Sequence, residues 1–517
     1  MLKKILFSKT KESIALPINI LSWLIIVFGI IVRLVQYLSN RSLWADEAAL
    51  ALNIVNRSYS ELGQPLDYDQ AAPIGFLWLE KLAIDIFGNN EYALRLFPLI
   101  SGIISILLFA KIASWYLNSQ GKFLALTLFT SLYYLVYYAS EVKQYSNDVT
   151  ISLLIFIVLF PYRTKDLNLF PTIIISVIVS ITLWLSHPAI LVVGAMVTVE
   201  IIILLSQKNP PKYLQNTLKK LFIYSVSLCS FIVCYFLFIQ PASNNENLQD
   251  SWGSAFPDSG FDLIWYLDTL GKFFHKPLGF DTILDGIAII FFLIGCVAYF
   301  YKDKLKLLCL LSPLIITLIA ATLHLYPFRS RLVLFLTPFL IIAIAQGTLS
   351  VMEWGKSAQK QQKIKVLITK LLTLLFLSFP FLETAEKIFK PQRKEEIKEV
   401  LQYIQDNRQP GDVLYVFQRG IYQFQYYANK YEYDESDYII GVDDLDHIDG
   451  KSLSEPEWQR YKADLDNLKG NSRVWLLFSH AHVRAENKAI RNYLKTIGIR
   501  EDRFETKGAF VYLYNLE

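Results

Sequence analysis

Long blocks of apolar residues recur between residues 18 and 382, and short polar segments separate them. A helix needs roughly 20 consecutive apolar residues to cross the hydrocarbon core of a bilayer. The pattern therefore predicts a polytopic α-helical membrane protein with about eleven transmembrane helices. The predicted spans lie near residues 18–39, 92–115, 121–138, 148–162, 169–186, 188–206, 220–240, 281–301, 305–325, 331–350 and 366–382.

The longer polar segments fall on one side of this predicted bundle. Residues 40–91, 139–147 and 241–280 form three exterior loops of a transmembrane domain, residues 1–382. In the first loop, Asp46 is placed to cap a short helix, and a second short helix follows Pro73. Both helices are apolar enough to lie at the membrane surface.

The remaining residues, 383–517, alternate between helical and strand patterns. We predict strands at 413–417, 473–478 and 509–514, with helices between them. Ser454 and Glu457 form a capping box at the start of one of these helices. The alternation predicts a small C-terminal α/β domain with a largely parallel sheet. No glycine-rich phosphate-binding motif is present, so the sequence indicates neither a nucleotide site nor a nucleic-acid partner.

Charge placement gives the predicted bundle an orientation. The chain is 53% hydrophobic and 19% charged, and its net charge of +4 says little by itself. Its basic residues, however, cluster before the first span and in alternate loops, which predicts that these segments are cytoplasmic. The C-terminal domain is then extracytoplasmic, on a multi-pass protein of the cell (inner or plasma) membrane. All four cysteines lie in or beside spans, which argues against exterior disulfides and a cysteine metal site.

Two adjacent acids, Asp46 and Glu47, follow the exterior end of the first span. In one interpretation they cap a helix and interact with its dipole. In the other, a carboxylate held at the membrane surface accepts a proton from an acceptor hydroxyl. Spacing alone favours the first interpretation.

A polar run lies between the third and fourth spans. Glu141, Lys143, Tyr145 and Asp148 crowd this exterior turn. They are either ordinary solvated loop residues beside a belt of interfacial tyrosines, or a polar rim for a lipid-borne head group. Spacing does not decide between these alternatives.

Arg329 and Arg331 occupy the short exterior turn between the ninth and tenth spans. Exterior arginines run against the charge pattern of the other loops. They indicate an anionic partner, with phosphate the natural one, unless they only reach lipid phosphates.

Three lesser features are weaker signals. His187 lies at the break between the fifth and sixth spans, where a lone histidine is more often structural than a ligand. Glu91 and Arg95, four residues apart, are expected to pair along one helix. His480 and His482 follow a predicted strand, but two histidines without a third ligand are weak support for a metal site.

Together these residues resemble the GT-C class of membrane glycosyltransferases, in particular the bacterial family 39 or protein-mannosyltransferase-like group that includes aminoarabinose and galacturonosyl transferases. The resemblance is firm over residues 1–205, looser over the later spans, and carried by no motif in the tail. The matching elements are Asp46-Glu47, Gln70-Ala71-Ala72-Pro73, the run 91–98, the rim 141–148, the Arg329/Arg331 turn and an exterior C-terminal domain.

Members of this class transfer a sugar from a polyprenyl-phosphate donor at the outer face of the membrane. The resemblance implies the same reaction here, with a lipid, glycan or protein acceptor and with membrane lipids as further partners. It makes Asp46 the catalytic base of a single inverting displacement, and Glu47 a residue that supports it or binds the acceptor. Some relatives bind a divalent cation, although no ligand set in this sequence demands one.

The resemblance also implies a donor-binding set, which is drawn from the rim, the span break and the arginine turn. Its members are Glu141, Lys143, Tyr145, Asp148, His187, Arg329 and Arg331. Two rival functions remain at this point. A transporter or flippase of lipid-linked sugars would favour inverted repeats or buried mid-membrane charges, and neither is clear in the sequence. A non-catalytic anchor for the tail would leave Asp46, Arg329 and Arg331 scattered over the exterior.

Overall fold

The computed structural model describes residues 2–163, 167–206, 214–243, 245, 247, 252–281, 283–356, 363–442, 453–481 and 484–517. Among these residues, eight helical segments are long and apolar enough to cross a membrane. They are Ile18–Leu38, Glu91–Tyr116, Tyr145–Tyr162, Thr217–Ala242, Ile283–Lys302, Lys304–Thr322, Ser330–Glu353 and Leu367–Phe389. The multi-pass membrane protein predicted from the apolar blocks is therefore confirmed.

The other three predicted spans also correspond to helices. Ser119–Ser131 and Tyr133–Ser140 are bent by 62° relative to each other, and they count as one span if the bent pair crosses together. Leu169–Leu185 and Ala189–Leu205 are shorter apolar helices that break at residues 186–188, where the sequence predicted the division.

Further helices complete the bundle and its loops. The first span extends back to Leu2, in the helix Leu2–Leu38, and Leu214–Cys234 continues as a π-helix over Tyr235–Ile239. The last two spans belong to Thr337–Lys356, preceded by a 3-10 turn over Ser330–Leu336, and to Lys363–Phe389. Three loop helices are Ala45–Asn56, Ile74–Phe87 and Leu263–His275.

The helix Thr337–Lys356 lies at the centre of the bundle, where Ile341, Ile342 and Ile344 are fully buried. It packs closely against Ile283–Lys302 because glycines meet at the crossing. A Cβ added to Gly347 would lie 1.8 Å from the carbonyl oxygen of Phe291, so only glycine permits this approach. By contrast, large apolar side chains of the outer helices are exposed, as a lipid-facing surface requires.

The C-terminal domain is a five-stranded sheet flanked by helices. The strands are β1 (Val413–Val416), β2 (Tyr438–Ile440), β3 (Val474–Ser479), β4 (Ile499–Glu505) and β5 (Ala509–Asn515), in the order β2-β1-β3-β5-β4. The helices are Ile397–Asn407, Ile421–Ala428, Glu455–Asp466 and Arg484–Ile497. The predicted α/β domain is confirmed, including the capping box of Ser454 with Glu457.

The sheet is only half parallel, which corrects the expectation of a largely parallel one. β1 pairs in parallel with β2 and β3, whereas β5 runs antiparallel to both β3 and β4. The short turn between β4 and β5 leaves no room for a crossover, so these strands form a hairpin. The sequence missed β2 and β4 because most of their residues are exposed and show no buried apolar run.

The C-terminal domain packs directly on the first loop. One hydrophobic cluster contains Leu50 and Ile54 of the helix Ala45–Asn56 together with Phe424 and Tyr427 of the domain. That helix, called the Asp46 helix below, is therefore buried, and its predicted position at the membrane surface is wrong.

Candidate functional site

A cavity of about 1770 Å³ opens where loops at one end of the helix bundle meet the C-terminal domain. Its walls come from the first loop, the bent pair, the 186–188 break, the arginine turn, the start of the C-terminal domain and four residues of the third loop and its start, Ala242, Asn247, Trp252 and Ser254. Seven of the nine residues singled out from the sequence line it: Asp46, Lys143, Tyr145, Asp148, His187, Arg329 and Arg331. The other two, Glu47 and Glu141, lie behind its wall.

Asp46 lies between two cations from different parts of the chain. Lys143 Nζ is 2.9 Å from its Oδ1, and an Arg331 guanidinium nitrogen is 2.9 Å from its Oδ2. Gln70 Nε2 donates to Oδ1 at 3.4 Å. The helix begins at Ala45 with Trp44 as its N-cap residue, and Asp46 lies in the first turn, so the capping interpretation is wrong for Asp46.

The two cations also set the ionisation of Asp46. Burial by itself would raise the pKa of Asp46, but Lys143 and Arg331 outweigh it and hold that pKa below its ordinary value. The pKa of Lys143 is also below its ordinary value, because burial disfavours its charged ammonium group and Asp46 only partly offsets the effect. The carboxylate is therefore ionised at neutral pH.

Arg331 is held in position by aromatic rings. Its guanidinium carbon lies 5.5 Å from the ring centroid of Tyr145 and 6.0 Å from that of Trp44. A guanidinium stacked on rings keeps its N–H groups free to point along its plane. Arg331 therefore presents donors to the cavity while still paired with Asp46.

Glu47 faces away from the cavity, into a fully buried ion-pair network. Arg95 donates to its two carboxylate oxygens at 2.9 and 2.7 Å, and the backbone N–H of Val142 donates at 2.9 Å. Burial opposes ionisation, but Arg95 and Arg41 outweigh it and lower the pKa of Glu47. The predicted Glu91–Arg95 pair is wrong, because Arg95 reaches across to Glu47.

Glu141 belongs to the same buried network. Its oxygens accept hydrogen bonds from Arg41 at 3.3 Å and from the Trp44 indole at 3.2 Å. Burial, reinforced by the nearby Glu47 carboxylate, raises the pKa of Glu141. The residue therefore fixes Trp44 rather than lining the cavity.

Asp148 and His187 also line the cavity. Ser186 Oγ donates to Asp148 Oδ1 at 2.7 Å, which ties the rim to the break between two helices. Burial lowers the pKa of His187 to about 4, so this imidazole is neutral at physiological pH.

Sequence reasoning did not single out Lys394, which also lines the cavity. Its ammonium group lies over the Trp44 ring, and burial lowers its pKa. A lysine in the predicted C-terminal domain carries no signal of this role in the sequence, because only the packing of that domain on the first loop brings it to the cavity. Gln70, by contrast, belongs to the Gln70-Ala71-Ala72-Pro73 run of the resemblance.

The described residues that line the cavity do not form a set of ligands for a divalent cation. Among the residues that the structure describes, no three His, Cys, Asp or Glu side chains come together as metal ligands. Both oxygens of Asp46 already face cations, which would repel a metal ion. His480 Nδ1 lies 2.8 Å from Glu395, and His482 lies outside the described residues.

Apolar side chains also line the cavity. They include Ile190, Leu191, Phe231 and Ile239 of the helices and Leu325 of a loop. A cavity lined by both cationic and apolar groups suits an amphiphile with an anionic head. The arrangement thus joins a carboxylate, two anion-binding cations and an apolar wall.

No family model matches the chain, and no curated protein matches it. Solved structures nevertheless share its fold. ArnT from Cupriavidus metallidurans bound to undecaprenyl phosphate superimposes with a TM-score of 0.50 and 10% identity, over 95% of this chain and 98% of that one. The archaeal oligosaccharyltransferase AglB from Archaeoglobus fulgidus, in complex with an inhibitory peptide and a dolichol-phosphate, gives a TM-score of 0.50 and 11% identity, over 95% and 74%.

The A. fulgidus oligosaccharyltransferase in complex with Zn and sulfate matches with a TM-score of 0.50 and 12% identity, over 94% of this chain and 72% of that one. These neighbours are GT-C membrane glycosyltransferases. The fold class and the structural side of the predicted resemblance are therefore confirmed.

Proposed function

We propose that this protein is an inverting glycosyltransferase that moves a sugar from a polyprenyl-phosphate donor to a lipid, glycan or protein acceptor at the outer face of the membrane. The observation that carries the proposal is the placement of Asp46 between Lys143 and Arg331, in a cavity with an apolar wall. The GT-C fold supports it, and neighbours with this fold bind undecaprenyl phosphate or dolichol-phosphate.

The chemistry follows from the two kinds of charged group. The acceptor oxygen attacks the anomeric carbon of the sugar, and its proton passes to the Asp46 carboxylate. The bond from that carbon to the phosphate oxygen breaks in the same step, so the anomeric configuration inverts. The lipid phosphate leaves with a full negative charge on the departing oxygen, which Lys143 and Arg331 stabilise.

Donor binding would also raise the basicity of Asp46. In the free site both cations pair with the carboxylate, which keeps its pKa low and makes it a weak base. A bound donor phosphate would pair with the same two cations, Lys143 and Arg331. Each cation would then interact with two anions, and its interaction with Asp46 would be weaker. The pKa of Asp46 rises when the phosphate is present, which couples base strength to donor binding.

The rival interpretations have less support. An anchor without activity would not require Asp46, Arg329 and Arg331 to line one cavity, as they do. A flippase would carry its charged groups near the middle of the membrane. The charged groups of this cavity come instead from the loop ends of the helices and from the C-terminal domain.

Reconstitution tests the proposal directly. The purified protein in proteoliposomes is given a polyprenyl-phosphate sugar and an acceptor extract, and sugar transfer is followed by mass spectrometry. Asp46→Asn is expected to abolish transfer while donor binding persists. Asp85→Asn is the matched control, because Asp85 is an exposed acid on the second helix of the same loop. Undiminished transfer by Asp46→Asn would exclude Asp46 as the base.

A further inference from the structure

The Asp46 helix has only a long capping contact of its own, from the Trp44 N–H to Glu47 Oε2 at 3.5 Å. Trp44 precedes its first residue, and its indole makes no hydrogen bond to the backbone N–H groups of the first turn. These N–H groups have no partner within a helix and need one from elsewhere. Glu395, from the start of the C-terminal domain, supplies one: its Oε2 accepts from the Ala45 N–H at 3.0 Å.

Glu395 is itself fixed by two residues of the C-terminal domain. Gln423 Nε2 donates to its Oε2 at 3.0 Å, and His480 Nδ1 donates to its Oε1 at 2.8 Å. His480 directly follows β3 and adopts a left-handed backbone conformation, φ 54°, which is uncommon for a residue with a side chain. The carboxylate is 8% exposed, so both its position and its partners are set by packing.

The segment before the helix is bound to the same domain. Leu43 donates its N–H to Tyr427 Oη at 2.9 Å, and its carbonyl accepts from Gln423 at 2.9 Å. Ser42 donates its N–H to Glu396 at 3.3 Å. The backbone groups of residues 42, 43 and 45 thus form hydrogen bonds with side chains of the C-terminal domain.

The place of this contact in the domain is also informative. Gln423 lies on the helix that follows β1, and His480 lies directly after β3. In open α/β sheets, ligands bind beyond the carboxyl ends of the parallel strands. Here the chain segment that leads into Asp46 occupies that position, so the domain binds part of its own membrane domain where related architectures bind a ligand.

We propose that the C-terminal domain positions the first turn of the Asp46 helix. Glu395 is the positioning residue, which orients Asp46 by capping this helix. The inference rests on the proposed function of Asp46. Lys143 and Arg331 belong to other elements, so loss of the cap displaces the base while leaving the phosphate contacts in place. A displacement of about 1 Å between reacting groups lowers the rate by about 100-fold.

The test uses the full-length protein in proteoliposomes. Glu395→Ala is expected to lower kcat by about 10–100-fold with little change in the KM for the donor. Glu395→Gln keeps an oxygen that accepts from Ala45, so it is expected to restore a large part of kcat. Glu399→Ala is the matched control, because Glu399 is a half-exposed acid four residues further on that pairs only with Arg393 among the described ion pairs.

Hydrogen exchange provides a readout that does not depend on activity. Peptides covering residues 43–50 are expected to exchange faster in Glu395→Ala than in Glu399→Ala, while peptides of the central helix Thr337–Lys356 remain unchanged. Parent-like kcat in Glu395→Ala, or lost activity with unchanged exchange over 43–50, would overturn the inference. A parent protein that shows no transfer would refute the proposed function, and the exchange result would still decide whether Glu395 holds this turn.

Discussion

Removal of the Lys143 charge tests the electrostatic design of the site. Lys143→Met keeps the length of the side chain but deletes the cation 2.9 Å from Asp46. Burial raises the pKa of Asp46, and in the variant only Arg331 and the hydrogen bond from Gln70 oppose it. An opposite charge at this range lowers a carboxyl pKa by about 1–3 units, equal to about 1.4–4 kcal/mol. The pKa of Asp46 is therefore expected to rise by about that amount.

The assay is the pH dependence of kcat/KM for sugar transfer, which reports groups of the free enzyme. Transfer requires the ionised carboxylate, so the rate falls as pH drops through the pKa of Asp46. In the parent this acid limb lies below the ordinary carboxyl range, and in Lys143→Met it moves up by about 1–3 units. Lys143 has a pKa below 10.5, so the parent also loses rate at alkaline pH, and the variant lacks this contribution.

The maximum rate and the pH at which the acid limb lies report different effects of the substitution. Lys143→Met also lowers the maximum rate, because the leaving phosphate loses a partner, but that loss does not move the limb. Lys272→Met is the control, since Lys272 is 75% exposed and pairs with Asp268 outside the cavity. Superimposable acid limbs in Lys143→Met and the parent would refute the assignment of that limb to Asp46.

Three further predictions follow from the same geometry. Arg331→Met is expected to lower kcat/KM by about 10–150-fold, which is equivalent to the loss of a charged hydrogen bond of about 1.5–3 kcal/mol. In the same steady-state assays, the kcat/KM of Arg331→Lys should lie between those of Arg331→Met and the parent. Glu47→Gln leaves the buried Arg95 without its counter-ion and is expected to destabilise the fold by about 3–5 kcal/mol, seen as a lower apparent Tm in detergent. Glu383→Gln, which breaks a partly exposed pair, should cost less than about 1 kcal/mol in the same measurement. Transfer is expected to persist in EDTA because both oxygens of Asp46 already face cations, and a rate restored only by added metal would contradict this.

The sequence predicted the bundle well because its signal is local. A run of apolar residues identifies a span without knowledge of its neighbours, and each of the eleven blocks corresponds to a helical segment, one of them the bent pair. The break at residues 186–188 was also readable, since proline and polar residues interrupt an apolar run. Membrane orientation remains a prediction from the charge pattern.

The sequence did not predict ion pairs between residues that are far apart in the chain. The Glu91–Arg95 pair was expected from helical spacing, but in the structure Arg95 pairs with Glu47 and Glu91 pairs with Lys398. Spacing identifies only what lies one turn away on the same helix, whereas burial brings together charges separated by 48 residues or more. Lys394 was not predicted as a cavity residue because its neighbours there are also distant in the sequence.

Asp46 and Glu47 show why sequence alone does not assign different roles to adjacent acids. Neighbouring residues on a helix point about 100° apart, so one side chain enters the cavity and the other enters the packed interior. Glu47 is fully buried against Arg95, whereas Asp46 keeps 18% of its side chain exposed between Lys143 and Arg331. Their neighbours, rather than their chemistry, suit Glu47 to a structural role and, in the proposed reaction, Asp46 to proton transfer. In that reaction the direction of the helix start decides which acid meets the acceptor, and Glu395 binds the chain at that start.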